Sequence, residues 1–213
     1  KVGGIGANIN QPANFYYDNI MMNTNIIDSA YKHGIKKLVC FLSTCVFPDK
    51  IEYPLTEEKI HEGKPHPTNS SYAYSKRMAD IQIKAYNKQY DTSYFSIIPC
   101  NVYGLNDNFN LESGHVIPML IHKCWIAKQT NTAFEIWGNG TSLREFIYSE
   151  DIADIVLKLV DKYDGTDPII ISNPQEYSIK QVVDLIVHYM EFTGEVKWLL
   201  DKPNGQPRKP SSN

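Results

Sequence analysis

Apolar and polar positions along this chain follow two alternating rhythms. Over residues 16–33, Ile20, Met21, Ile26, Ile27, Ala30 and Tyr31 recur at helical spacing, and Gly34 follows as a stop. Leu38-Val39-Cys40-Phe41-Leu42 is an unbroken apolar run, which predicts a strand buried on both faces, as in a parallel sheet. A polar, Pro-containing loop leads to a second amphipathic helix over 71–90 and then to a strand over 95–99. Residues 103–114 form a polar loop long enough to suggest function. A helix is expected from about His115, with Pro118 tolerated in its first turn.

The second half continues the alternation. Residues 133–137 and 144–148 read as short strands joined by the turn Gly138-Asn139-Gly140. Ser149 reads as the N-cap of a helix to about Lys162, with Glu150 and Asp151 acidic in its first turn. A strand over 168–172 follows. Ser178 and Gln181 match a capping box before a helix to about Phe192, and 196–200 reads as a last strand. Strands separated by helices predict an α/β sheet with right-handed crossovers.

Composition narrows the function. Among 213 residues, 42% are hydrophobic and 21% charged, which excludes disordered, collagenous and low-complexity classes. Lys and Arg total 21 against 24 Asp and Glu, a net charge of −3, which argues against nucleic acid or a membrane surface as partner. No apolar run reaches the roughly 20 residues that span a bilayer. Cys40, Cys45, Cys100 and Cys124 lack CxxC spacing, so no metal site is expected and reduced thiols in a cytoplasmic compartment are. The first residue is Lys1, not Met, and a piece of a longer protein is expected.

The sharpest chemical feature is Tyr72-Ala73-Tyr74-Ser75-Lys76. A helix stacks residues four apart, and an ammonium beside a phenol is expected to lower its pKa and make it a usable proton donor or acceptor. Alone the spacing is weak, because a Tyr and a Lys on a helix usually describe a packed ring and a solvated amine. Ser43-Thr44-Cys45 directly follows the first strand, and open parallel sheets bind ligands beyond the carboxyl ends of their strands. Ser43 is therefore expected beside Tyr72. An extended stretch would turn Ser43 and Cys45 to the same side.

Ser43 followed by Tyr72-x-x-x-Lys76 resembles the triad of extended short-chain dehydrogenase/reductases that act on nucleotide sugars. The likeness is closest to the GDP-L-fucose synthase family. It rests on Ser43-Thr44-Cys45-Val46-Phe47-Pro48, Pro67-Thr68-Asn69-Ser70-Ser71-Tyr72, Asn101-Val102-Tyr103-Gly104 and His115-Val116-Ile117-Pro118. Trp137-Gly138-Asn139-Gly140-Thr141, Arg144-Glu145-Phe146 and Lys202-Pro203-Asn204-Gly205 extend it in order along nearly the whole chain. The pairing of Cys45 with His115 is the specific part, since the superfamily shares the triad.

The resemblance implies a partial doubly wound, Rossmann-like parallel sheet with a smaller, interleaved α/β substrate domain. Residues 1–104 would belong to the NADP-binding domain and 105–213 mainly to the substrate domain, with elements near 149–173 returning to the sheet. It implies NADPH-dependent 3,5-epimerisation and 4-reduction of a GDP-4-keto-6-deoxy sugar. The catalytic set would be Ser43, Tyr72, Lys76, Cys45 and His115. Phe41, Leu42, Ser43, Thr44, Tyr72, Lys76, Pro99, Cys100, Asn101, Val102 and His115 would line the NADPH site. Asn101, Lys123, Trp137, Arg144 and Asn204 would hold the GDP-sugar. A homodimer packed through helices near 16–33 and 72–90 is also implied.

Two departures stand out. The family's Gly-rich turn for the cofactor pyrophosphate has no match, because Gly3-Gly4-Ile5-Gly6 follows no strand and is expected to run on to Pro12 without a helix. Asn204 replaces the family's usual Asp, and an amide accepts fewer hydrogen bonds from guanine than a carboxylate. Three alternatives follow. A 4,6-dehydratase or 4-epimerase is disfavoured because Cys45-Val46 stands where dehydratases carry Asp-Glu. A related reductase on another nucleotide-4-keto-6-deoxy sugar and a non-catalytic truncated homologue remain.

Overall fold

The computed structural model describes residues 2–202, 208, 210 and 211. Its first layer is a parallel sheet of β1 (Lys37–Phe41), β2 (Ser93–Pro99) and β6 (Ile169–Ile171), in the order β1-β2-β6. β2 is central and buried from Tyr94 to Pro99, and its alternate residues serve opposite faces. Tyr94 and Ile98 join Ile27, Leu42, Val46 and Ile83 in the core under α2 (Pro12–Lys32) and α3 (Ser70–Tyr90). Phe95 and Ile97 join Ile147, Ile152 and Ile171 under α5 (Ser149–Lys162). These clusters fix the carboxyl ends of β1 and β2 at one edge of the layer.

The second layer system holds the remaining strands. β3 (Asn101–Tyr103) runs parallel to β5 (Leu143–Tyr148), which pairs antiparallel with β7 (Glu176–Ser178). β4 (Phe134–Trp137) pairs in parallel with β8 (Val196–Leu199). α4 (Val116–Thr130) and α6 (Ile179–Tyr189) pack over these strands around Leu120, Cys124, Phe134, Ile136, Phe146 and Val183. The expected α/β architecture is present.

Local signals held best where they were complete. The capping box at the start of α6 is closed on both sides: Gln181 N–H donates to Ser178 Oγ at 3.1 Å, and Ser178 N–H donates to Gln181 Oε1 at 2.8 Å. Gly34 takes a left-handed φ of +71° after α2, where a side chain would be strained.

Four expectations need correction. β1 is only half-buried and Phe41 is 46% exposed, because β1 pairs with β2 on one side and with no strand among the described residues on the other. The buried strand is β2. The turn at 138–140 does not close a hairpin, since β4 and β5 find partners far along the chain. Ser149 is the first residue of α5 and Tyr148 its N-cap, with no side-chain capping bond. Residues Ile5–Asn10 do form a short helix, α1, whose Gly4 N–H donates to the Ser113 carbonyl at 3.2 Å.

Candidate active site

The carboxyl end of β1 assembles the first half of the site. The chain leaves the strand at Phe41, and Leu42 is buried with its N–H donating to the Ile97 carbonyl at 2.8 Å. Ser43 is extended, with φ −166°, and caps a single 3-10 turn, Thr44–Val46, by accepting from Cys45 N–H at 3.4 Å. That turn replaces the extended stretch expected for Ser43 and Cys45. The two side chains are therefore positioned by different contacts, not by shared pleat.

Tyr72 sits in the first turn of α3 and is 9% exposed. The Ser43 side chain lies close enough to its hydroxyl to favour the phenolate. Phe15 of α2 meets its ring edge-on, with centroids 6.3 Å apart. Lys76, one turn later, is 6% exposed and donates from Nζ to the Phe41 carbonyl at 2.7 Å. The ammonium lies 5.9 Å from the Tyr72 ring centroid. The structure thus brings Ser43, Tyr72 and Lys76 together at the end of one strand.

The electrostatics differ from the sequence expectation. Burial pushes the Tyr72 phenol well above its ordinary pKa, nearby Cys45 adds to the rise, and Ser43 only partly opposes it. The Lys76 ammonium donates to the Phe41 carbonyl, and its own pKa is lowered by burial. Tyr72 is consequently a neutral phenol at physiological pH. That is the form of a proton donor.

Cys45 is half-buried, and Asn69 Nδ2 donates to its Sγ at 3.0 Å. The Arg144 guanidinium, from β5, and Tyr72 are its charged or ionisable neighbours. Burial depresses the Arg144 pKa, while Cys45 and Tyr53 favour its charged form. The Cys45 turn is itself anchored by buried Arg77, whose Nε donates to the Val46 carbonyl and Nη1 to the Gly63 carbonyl, both at 2.7 Å.

The end of β2 supplies the neighbouring wall. Pro99 is buried, and Cys100 N–H donates to the Ile171 carbonyl at 2.9 Å. Burial pushes the Cys100 thiol up to about 11. Asn101 is exposed and its Nδ2 donates to the Glu145 carbonyl at 2.8 Å, while Val102 is half-buried.

The other predicted residues are less tightly held. His115 caps α4 with extended backbone, and its half-exposed ring places Nδ1 3.9 Å from Asp107 Oδ1. Among the described residues, no hydrogen bond or ion pair joins it to Cys45, Ser43 or Tyr72. Lys123 of α4 lies 5.5 Å over the ring of Trp137, which ends β4 and is 56% exposed. Burial lowers the Lys123 pKa, opposed by Glu135. Asn204 lies outside the described residues.

Several residues at this site carried no usable sequence signal. Asn69 lies 24 positions from Cys45, and nothing in the sequence joins the two. Tyr53 donates from its hydroxyl to the Arg208 carbonyl at 2.7 Å, and Arg208 pairs with Glu176. Glu145 is 3% exposed and accepts from Ser211 N–H and Oγ at 2.8 and 2.9 Å. All of these join segments far apart in sequence.

A parallel sheet with half-buried Ser43 beside buried Tyr72 and Lys76 at its strand ends defines a class. The profile of the NAD dependent epimerase/dehydratase family matches residues 1–179, and the chain belongs to this family. It is 42% identical, over its whole length, to the GDP-L-fucose synthase of Dictyostelium discoideum, covering 67% of that protein. It is 39% identical over 98% of its length to the GDP-L-fucose synthase of Sinorhizobium fredii, again covering 67%. Among solved structures, a GDP-L-fucose synthetase from Naegleria fowleri bound to NADP aligns with a TM-score of 0.92 and 45% identity, over 95% of this chain and 65% of that one. The chain thus spans about two thirds of the length of these relatives. Among the described residues, no helix is long and apolar enough to cross a membrane.

Proposed function

We propose that the protein is an NADPH-dependent 3,5-epimerase and 4-reductase that converts GDP-4-keto-6-deoxy-D-mannose to GDP-L-fucose. The observation that carries this is the grouping of buried Tyr72 and Lys76 with half-buried Ser43 at the carboxyl end of β1, with Cys45 beside it. The names of the relatives support the substrate, and the NADP in the Naegleria structure supports the cofactor.

The residues fit such a cofactor. Lys76 is a buried ammonium whose one hydrogen-bond acceptor among the described residues is the Phe41 carbonyl, so it has donors to spare for ribose hydroxyls. Phe41, Leu42, Ser43, Thr44, Tyr72, Pro99, Cys100, Asn101, Val102 and His115 are the residues proposed around it. NADPH, when bound, supplies the hydride for C4.

The chain's own groups perform the rest. Ser43 and Tyr72 hydrogen-bond the C4 oxygen and stabilise the negative charge that develops when a neighbouring C–H proton leaves. Cys45 and His115 form the acid/base pair that removes protons from one face and returns them to the other at C3 and C5. Tyr72 then gives its phenolic proton to the C4 oxygen during reduction. Lys123 and Arg144 face the diphosphate, Trp137 offers an apolar ring, and Asn101 and Asn204 complete the sugar-nucleotide site.

In this reading residues 1–104 form a part of the cofactor domain, without its first strands and Gly-rich loop, and 105–213 mainly the substrate domain, with elements near 149–173 returning to the sheet. A cytoplasmic homodimer completes it. Tyr17, Met21 and Met22 of α2 and Met78 and Ile81 of α3 are exposed apolar residues on the two helices proposed to pair.

The test is NADPH consumption by the intact protein supplied with GDP-4-keto-6-deoxy-D-mannose. Cys45→Ser and His115→Asn should suppress solvent deuterium uptake at C3 and C5 more than ketone reduction. Equal loss of both partial reactions would remove the assigned acid/base roles.

A further inference from the structure

Asn69 occupies the N-cap position of α3, two residues after the proline that opens its 3-10 turn. Asn is among the favoured N-cap residues because its side chain accepts from the exposed N–H groups of the first turn, a contact worth about 1 kcal/mol. Here it makes no such bond. Its Nδ2 is turned instead to Cys45 Sγ at 3.0 Å. Its Oδ1 is buried and has no hydrogen-bond partner among the described residues. A buried amide oxygen left without a donor is costly, and so is a forgone cap. Both costs fall on a side chain that donates to the sulfur.

A carboxamide has a property that suits this place. Its NH2 end donates and its oxygen accepts, and half a turn about the terminal torsion exchanges the two within nearly the same volume. A thiolate needs a donor, whereas a thiol needs an acceptor. We propose that Asn69 is a positioning residue for Cys45, donating to the sulfur when it is a thiolate and, turned over, accepting the S–H when it is a thiol. This rests on the acid/base role proposed above for Cys45. When the sulfur removes a proton beside the ketone, the C–H bond breaks and the S–H bond forms. The C–H electron pair passes into the enolate, whose oxygen is held by Ser43 and Tyr72. The buried Oδ1 is then satisfied by the new S–H.

The ionisable groups beside Cys45 are Arg144, from β5, and Tyr72, from α3. Ser43 Oγ accepts from the Cys45 N–H and so holds the backbone and not the sulfur. Asn69 is the group through which the sulfur's two protonation states can be separated by substitution.

The test is the rate of Cys45 alkylation by iodoacetamide in the intact protein, followed by peptide mass as a function of pH, with Cys45→Ser as the blank. Asn69→Leu removes both donor and acceptor and should raise the pH midpoint of alkylation by about one unit. Asn69→Asp keeps only acceptors, adds a negative charge, and should raise it further. A role confined to capping or packing changes the stability of α3 in both variants and leaves the midpoint where it was. An unmoved midpoint, or a larger shift in Asn69→Leu than in Asn69→Asp, overturns the proposal. The readout does not depend on turnover. If the midpoint shifts as expected while Cys45→Ser still exchanges deuterium at C3 and C5, the Asn69 contact stands and the catalytic role of Cys45 falls.

Discussion

The two halves of the candidate site are built by different means. Ser43, Tyr72 and Lys76 are closed in at the end of β1, where each is held by a hydrogen bond or a packed ring. His115, Lys123 and Trp137, all from the second layer system, are half-exposed or exposed and are held by a 3.9 Å ion contact and a 5.5 Å cation–ring contact. The sheet side is organised before any ligand arrives. The opposite side has surface left to give to a ligand. That division suits a reaction whose protonating group must be fixed while its substrate enters and leaves.

Substitutions test the contrast most severely on the closed side. Tyr72→Phe should reduce ketone reduction by about 10²–10⁴, the usual range for losing a general acid. The Phe15 contact should keep the fold intact, so the unfolding midpoint in urea should barely move. Lys76→Met should both raise the NADPH KM and lower stability by about 1–3 kcal/mol, because the Phe41 carbonyl loses its charged donor in a buried place. Denaturant titration and steady-state kinetics on the same preparation separate the two effects. A Lys76 variant with unchanged stability would mean that the ammonium is not part of the closed half.

Alkaline pH sharpens the same comparison. Burial pushes the Cys40 and Cys100 thiols from 9.0 to about 11 and raises the Tyr72 phenol above its ordinary value. The fold therefore favours the protonated forms of these groups. Their contribution to stability is complete below the unfolded values, near pH 9 for the thiols and about 10 for the phenol. It is lost as pH rises through the folded values. Urea midpoints measured from neutral to alkaline pH should fall from about pH 9 upward, less steeply in Cys40→Ala and Cys100→Ala.

The smallest effects belong to the open side. Lys123→Met removes a contact worth about 0.5–1 kcal/mol at an exposed site, so thermal unfolding should shift by only a few degrees. Its KM for the sugar nucleotide should nonetheless rise several-fold. If Lys123→Met costs as much stability as Lys76→Met, the two halves are not differently built.

What could be read from the sequence follows the range of each interaction. Ser178 and Gln181 satisfy each other three residues apart, and α6 begins where they predict. Tyr72 and Lys76 lie one helical turn apart, so their shared face needed only the helix. The partners of β4 and β5 lie tens of residues away, and the turn between them suggested a hairpin that long-range pairing overrides. The burial of Tyr72 depends on Phe15 and the β1 end together, which is why its pKa direction ran against the local expectation. Asn69 stands at the N-cap of α3, and only its contact with Cys45, 24 residues upstream, reveals another use.

The place of β6 beside β2 has a consequence in time. Ile169 pairs with Ile97 after about seventy intervening residues, which themselves form most of the second layer system. During synthesis the β1–β2 pair and Tyr72 emerge well before β6, which pairs with β2 on its other side. Until then the face of β2 later covered by Ile171 and α5 is open to solvent. Closing so long a loop is slow, and exposed apolar strands in the interval invite association with other nascent chains. Between the emergence of residue 99 and that of residue 171, one apolar face of β2 therefore waits for its cover.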